Sequence, residues 1–128
     1  MENMTLQYRI VNSDICLEER GAPVFVMREV IPDPAKREVL ILLAGTLRSD
    51  VTGCVEDELN AFVTVDMDIL VDMKEVTYVS IAAQQCFLRV QRYADRIGRG
   101  RMRLRVPDDA LYAGFAETGI TELLMIER

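Results

Sequence analysis

The sequence lacks histidine altogether and has only three cysteines. Without histidine, the chain cannot form Ser-His or Cys-His nucleophile pairs, histidine general bases or imidazole metal sites. Cys16, Cys54 and Cys86 form no Cys-x-x-Cys pair, so their spacing fits neither a zinc cluster nor a thioredoxin-like redox motif. We therefore expect reduced, buried thiols, no catalytic residues, and neither a metal nor another cofactor.

Membrane and secretion signals are also missing. The longest unbroken apolar run spans residues 39–44, which is far below the ~20 residues that a membrane-spanning helix needs. Residues 1–4 show no basic segment followed by an apolar one, as a secretion signal would. With 128 residues, 50% of them hydrophobic and 28% charged, the chain has the size and balance of one globular domain. We expect a soluble, cytoplasmic protein.

Charge is distributed unevenly along the chain. The net charge is −6, yet residues 76–106 carry seven basic side chains and one acidic side chain. A basic segment inside an acidic protein could contact an acidic partner, or it could form a solvated helix face beside an arginine-bearing strand. The acidic remainder would repel the phosphate backbone, so we expect no nucleic-acid binding.

Apolar spacing predicts strands and helices that alternate from residue 39 onward. Residues 39–44 are apolar on both faces, which is typical of a central, covered strand. The alternation favours a largely parallel sheet with right-handed crossovers. The predicted elements are, in chain order, strands at 6–11, 24–30 and 39–44, a helix at 50–63, strands at 69–71 and 76–80, a helix at 81–97, a strand at 102–106, a helix that begins at 107–109, and a strand at 123–126.

Several of these elements have predicted boundaries or faces. Ser49 or Asp50 is expected to cap the helix at 50–63, and Asp72 is interpreted as the turn residue that ends a buried strand. In the helix at 81–97, an apolar stripe faces the core and a row of arginines lies on the opposite side. The stripe consists of Phe87, Val90, Ala94 and Ile97, and the row of Arg89, Arg92 and Arg96.

The order of these segments resembles the STAS domain, a module shared by sulfate transporters and anti-sigma factor antagonists. The resemblance implies an α/β fold with a mixed, mainly parallel sheet covered by helices. The chain is then a single domain over residues 1–128, with a strand-rich N-terminal extension at 1–23 and a STAS-like core at 24–128. The matching segments are Val39 to Leu43 with Gly45-Thr46-Leu47, Ile69-Leu70-Val71-Asp72-Met73, Val76-Thr77-Tyr78-Val79, Ile97-Gly98-Arg99-Gly100, and Phe115-Ala116-Glu117-Thr118-Gly119-Ile120.

STAS domains are mostly not enzymes. The resemblance implies a bacterial signalling module that regulates transcription by binding a protein partner, an anti-sigma factor or a kinase-like regulator. Partner contacts are expected after the strand at 39–44 and at the start of the helix at 81–97. The residues predicted for them are Gly45, Thr46, Leu47, Arg48, Ser49, Tyr78, Ser80, Ile81 and Ala82.

The phosphorylation site of the family is altered in this chain. Family members carry Asp-Ser/Thr at the start of this helix, where a phosphate breaks a complex by repulsion and desolvation. Here Ser80 stands in place of the aspartate, and Ile81 stands in place of the hydroxyl residue. Isoleucine cannot accept a phosphate, so the resemblance implies binding without the usual switch. Ser80 is either a substitute phosphate acceptor or the N-cap of the helix, and Ile81 either faces a partner or turns inward.

Three alternatives stay open at this point. The domain could instead bind a small ligand, a nucleotide or an anion, in the crevice near Gly45 and Ser80 where a helix begins. The N-terminal extension could add an edge strand or pair two subunits into a homodimer. A third choice concerns a group of acidic residues, which form either a divalent-cation site or a solvated acidic edge. They are Asp66, Asp68, Asp72 and Glu75.

Overall fold

A computed structural model describes residues 6–11, 14–20, 22–31, 34–98 and 100–128. Within these described residues, seven strands form one sheet, and three α-helices and three short 3₁₀ helices lie between the strands from the third to the seventh. The strands are β1 (Leu6–Val11), β2 (Asp14–Glu19), β3 (Ala22–Val30), β4 (Glu38–Leu47), β5 (Asp68–Val79), β6 (Met102–Arg105) and β7 (Ile126–Glu127). The α-helices are α1 (Thr52–Thr64), α2 (Ile81–Ile97) and α3 (Asp109–Glu117), and the 3₁₀ helices are Pro34–Lys36, Ser49–Val51 and Ile120–Glu122.

The strands lie in the sheet in the same order as in the chain. From β1 to β4 each neighbouring pair is antiparallel, and from β4 to β7 each pair is parallel. Strands β2, β4, β5, β6 and β7 therefore all run in one direction, which confirms the predicted mixed, mainly parallel sheet. The N-terminal segment adds β1 and β2 at one edge of this sheet. Of the two alternatives for this segment, this is the added edge strand.

The helices cover one face of the sheet. Each helix connects a strand to its next neighbour on the same side, and right-handed crossovers in one direction place all three helices on one face. Burial alternates accordingly along β4, where Val39, Ile41 and Leu43 are buried and Leu40 and Leu42 are only partly so. The core therefore lies between the sheet and the helices. It includes Leu17, Phe25 and Met27 from β2 and β3, Val55 and Leu59 from α1, Phe87 and Val90 from α2, and Phe115 from α3.

The boundaries of α2 agree with the sequence prediction and those of β6 agree to within one residue, but those of β5 do not. Residues 68–79 form one continuous strand, because β5 pairs with β4 along its length. Two shifts in the register of this pairing accommodate the polar residues in the middle of the strand. Asp72 is consequently a mid-strand residue opposite Leu42, not the end of a strand. Its carboxylate accepts from the backbone N–H of Lys74 at 2.9 Å and lies 3.9 Å from Arg105 Nη1.

The structure differs from the prediction at three further places. The segment at 14–19, which was not predicted as a strand, forms β2 by pairing with β1 and β3. Neither Ser49 nor Asp50 caps α1, whose N-cap is Val51 with no side-chain cap hydrogen bond. Residues 120–122 form a 3₁₀ helix, so the last strand begins only at Ile126. In the described part of the chain, no helix has the length and apolarity to span a membrane.

Candidate interaction surface at the ends of β4 and β5

The two segments predicted to contact a partner lie side by side in the structure. Strands β4 and β5 are parallel and end in register, with Leu47 opposite Val79. The backbone N–H of Ser80 donates to the carbonyl of Leu47 at 2.9 Å, which joins the two segments just beyond the last paired residues. We call residues 45–49 and 78–82 together the rim.

Ser80 fixes the turn from β5 into α2. Its backbone is extended (φ −69°, ψ 161°), and its Oγ accepts a hydrogen bond from the backbone N–H of Ala83 at 3.1 Å. This is the geometry of an N-cap, because a side-chain oxygen satisfies an N–H that has no partner inside the helix. The N-cap interpretation of Ser80 is confirmed, and the hydroxyl is already engaged within the fold.

The rim exposes two large apolar side chains on the β5 side. Tyr78 is 54% exposed and Ile81 is 63% exposed. Of the two interpretations of Ile81, the structure shows the outward one. Ser80 and Ala82, which flank Ile81, are partly buried, so the backbone of this turn is held while the side chain of Ile81 extends into solvent.

The β4 side of the rim is mostly structural. Leu47 is only 1% exposed and belongs to the core, so in this fold it cannot be a partner contact as predicted. Gly45 has φ +93°, and a Cβ at this position would lie 2.1 Å from the carbonyl oxygen of Val24. A threonine hydroxyl of β5 also holds this part of β4. Thr77 Oγ1 donates to the carbonyl of Gly45 at 3.3 Å and lies 3.5 Å from Thr46 Oγ1.

Arg48 and Ser49 complete the β4 side. The Arg48 guanidinium donates to both carboxylate oxygens of Asp50, at 2.8 and 3.3 Å. An ion pair this exposed contributes little to stability. Ser49 opens the 3₁₀ helix, and its carbonyl accepts from Thr52 Oγ1 at 2.9 Å.

The predicted arginine row on α2 is partly used inside the molecule. Arg89 donates to both oxygens of Glu56 on α1, at distances from 2.8 to 3.1 Å, and these hydrogen bonds raise the pKa of Arg89. The guanidinium of Arg96 lies 5.4 Å from the ring centroid of Tyr93. Arg92 is exposed. The row therefore ties α2 to α1 as well as facing solvent.

Two cysteines are described, and both are poor nucleophiles. Burial raises the pKa of the Cys86 thiol to about 12, and burial also raises the pKa of Cys54. Both thiols therefore stay protonated at neutral pH, where only the thiolate would react. The side chain of Cys16 lies outside the described residues. Among the described acidic and cysteine side chains, no group of three or more is placed to hold a metal ion.

A cleft next to the rim was not anticipated from the sequence. It has a volume of about 210 Å³ and lies between the end of β5 and α3, with Tyr78 and Asp108 among its lining residues. Gln84, the only polar side chain among the described residues that is buried, also lines it. The sequence does contain a signal for this buried glutamine, because Gln84 lies three positions before Phe87 and so falls on the apolar stripe of α2.

No protein-family model matches this sequence, and no curated protein is significantly similar to it. Solved structures do share its fold. TM1081 from Thermotoga maritima superposes with a TM-score of 0.65 and 12% identity over 78% of this chain and 84% of that protein. SpoIIAA, an anti-sigma factor antagonist and Bacillus cell fate determinant, gives 0.64 in its unphosphorylated form, with 12% identity over 80% of this chain and 88% of SpoIIAA.

An anti-sigma factor antagonist from Mycobacterium paratuberculosis has the same overall similarity. Its TM-score is 0.61, with 12% identity over 78% of this chain and 84% of that protein. Because sequence identity is so low, these likenesses define the architecture alone. The chain has a STAS-like fold, as the order of its segments predicted.

Proposed function

We propose that this chain is a non-enzymatic protein-interaction module of the STAS type, with a cytoplasmic role like that of a bacterial anti-sigma factor antagonist. It acts by partner switching or as a scaffold, and its partner is an anti-sigma factor or a kinase-like regulator. The exposed side chains of the rim form the contact surface. The fold shared with SpoIIAA and the mycobacterial antagonist supports this role, as does a sequence without histidine.

The observation that carries the proposal is the exposed pair Tyr78 and Ile81. A tyrosine and an isoleucine that flank a fixed turn offer apolar area at little entropic cost, because the backbone beneath them is already held by the Ser80 cap. Polar groups border them, among them Arg48 and Ser49. Apolar anchors within a polar border are the usual composition of a protein–protein contact.

We further propose that this contact works without the usual phosphoserine switch. Ile81 occupies the position of the family's phosphate acceptor and has no hydroxyl. Ser80 carries a hydroxyl, but that hydroxyl accepts from Ala83 N–H and caps α2. Phosphorylation of Ser80 would require a kinase to reach this partly buried hydroxyl at the turn into α2.

Affinity purification of the tagged chain from its native cell tests both proposals. Replacing Ile81 with Ser should reduce recovery of the partner about tenfold or more, because burying one isoleucine side chain contributes roughly 1.5–3 kcal/mol. Val65→Ser is the matched control, since Val65 is 53% exposed and precedes β5, at the opposite end of the sheet. Equal recovery with both variants, or no partner with the wild type, would contradict the docking role. Phosphate on Ser80 in most purified molecules, read by mass spectrometry, would contradict binding without the switch.

A further inference from the structure

The face of the sheet opposite the three α-helices, which we call the open face, is apolar along its centre. On β3, β4 and β5, the residues that alternate with the core residues include several valines, leucines and an alanine, and each of these is only partly buried. Where one face of a sheet lies in solvent, its residues are commonly polar instead. The apolar residues of the open face are Val26, Val30, Leu40, Leu42, Ala44 and Leu70.

Two grooves run along the open face. One of about 410 Å³ lies over β3, β4 and β5, with Leu42 and Ala44 in its floor, and the other of about 210 Å³ lies over β4, β5 and β6, with Leu40 and Leu70 in its floor. Each groove is lined by two basic and two acidic side chains, whereas the whole chain carries a net charge of −6. A second copy of this acidic chain would therefore meet the least repulsion at the open face.

Strand pairing arranges the charges of the open face in a row across the sheet. Arg28 on β3 is opposite Leu42 on β4, and Leu42 is opposite Asp72 on β5. The carboxylate of Asp72 is fixed by the backbone N–H of Lys74, and 12% of its side chain stays exposed. From β3 to β5, this row therefore reads basic, apolar, acidic. The next row, Val30, Leu40 and Leu70, is apolar throughout.

The charged row is complementary to a second copy of itself in one orientation. A two-fold axis in the interface and parallel to β4 places β3 of each copy over β5 of the other, so Arg28 meets Asp72 of the second copy and Leu42 meets Leu42. A two-fold axis across the strands, along this row, would instead place Arg28 on Arg28 and Asp72 on Asp72. Like charges repel at such distances, so the row favours the axis parallel to β4.

We propose that the open face binds the open face of a second copy of this chain, as a two-fold dimer with its axis along β4. Two sheets that pack face to face keep their strands within about 30° of each other, and their apolar side chains interdigitate. Strands β2 to β6 at ~4.8 Å spacing and the ten residues of β4 at ~3.3 Å each give an open face of roughly 600 Å² in projection. This area approaches the ~800 Å² that each partner buries in a standard interface. Neither Tyr78 nor Ile81 lines a groove of the open face, so the inference is independent of the proposed function.

Analytical ultracentrifugation of the purified full chain tests the inference. Interfaces of standard size have dissociation constants of micromolar order or below, so we expect twice the mass of one chain at a concentration of about 100 µM. A monomer at this concentration would overturn the inference and would assign the open face to a different occupant.

Two matched variants locate the interface. Leu42→Glu places two carboxylates against each other on the axis, so the dissociation constant of the dimer should rise at least about tenfold. Ile81→Glu makes the same kind of change at a residue that is 63% exposed and lies outside the open face, and it should leave the dissociation constant unchanged. A dimer that survives Leu42→Glu, or one that Ile81→Glu dissociates, would overturn the inference. If circular dichroism shows that Leu42→Glu is unfolded, Arg28→Glu at the exposed position on β3 takes its place.

Charge reversal tests the orientation of the axis. Arg28→Glu and Asp72→Arg should each weaken the dimer when studied alone, because each places like charges across the axis. An equimolar mixture of the two variants should dimerise again, since both contacts of the mixed dimer then join opposite charges. Failure of the folded variants to associate on mixing would overturn the proposed arrangement. If Asp72→Arg does not fold, Arg28→Glu is compared with Arg92→Glu at the exposed position on α2, and equally strong dimers of these two would overturn it.

Discussion

The ends of β4 and β5 lie side by side, but their side chains have opposite environments. At the end of β4, Leu47 is buried and Gly45 packs against the backbone of β3. At the end of β5, Tyr78 and Ile81 are exposed. The comparison shows that two adjacent strand ends at one edge of a sheet can differ, since one contributes its side chain to the core and the other exposes its side chains to solvent.

Strand pairing explains part of the difference. β4 is paired with β3 as far as Gly45 and with β5 as far as Leu47, and the helices cover one face. β5 loses its second neighbour after Asp72, where β6 ends. Its last residues are therefore paired on one side only, which leaves room for the exposed Tyr78 and for the cleft that Gln84 lines.

The largest expected effect comes from disturbing the β4 side. Gly45→Ala should lower the free energy of unfolding by about 3–5 kcal/mol, because φ +93° strains an alanine and its Cβ would meet the Val24 carbonyl at 2.1 Å. Gly53→Ala in α1 is the control, since nothing lies within 4 Å of its Cβ, and it should be neutral or stabilise by up to about 1 kcal/mol. Urea unfolding measures both. Equal effects would show that Gly45 is not needed to hold the rim.

A matched pair of truncations tests the comparison directly. Leu47→Ala should cost about 3 kcal/mol of stability, since it removes buried methyl groups from the core. Ile81→Ala should change stability by less than about 0.5 kcal/mol, because the side chain is already 63% exposed. Partner recovery should show the reverse order, provided that the Leu47 variant is assayed where it is folded. A cost above about 2 kcal/mol for Ile81→Ala would mean that its side chain is part of the core.

The smallest effect concerns the turn between the two sides. Ser80→Ala should lower the free energy of unfolding by about 1 kcal/mol, since it removes the acceptor for Ala83 N–H. Ser49→Ala is the comparison, because the 3₁₀ helix that begins at Ser49 has no side-chain cap hydrogen bond, and its change should stay within about 0.5 kcal/mol. Thermal unfolding of both variants measures the difference. If Ser80→Ala is neutral, the cap does not hold the rim.

Local patterns predicted a large part of this architecture. The boundaries of α2 follow from Ser80 as its cap, Gly98 in the left-handed conformation at its end, and the apolar stripe between them. The parallel order of β4 to β7 followed from the alternation of strands and helices. Local patterns did not predict the pairing of β2 or the continuity of β5. A partner strand can order a polar segment that has no strand pattern of its own.

The site divides in the same way. The sequence by itself determined that Ile81 lacks a hydroxyl, that Ser80 can cap a helix, and that histidine chemistry is absent, because these are properties of residue type and of neighbours within one turn. Only the tertiary structure decided that Leu47 is buried, that Ile81 is exposed, and that Gln84 meets Thr118 across 34 positions of the chain. Burial and contacts between distant residues depend on how distant elements pack. The sequence pattern of one strand does not predict where the neighbouring strand ends.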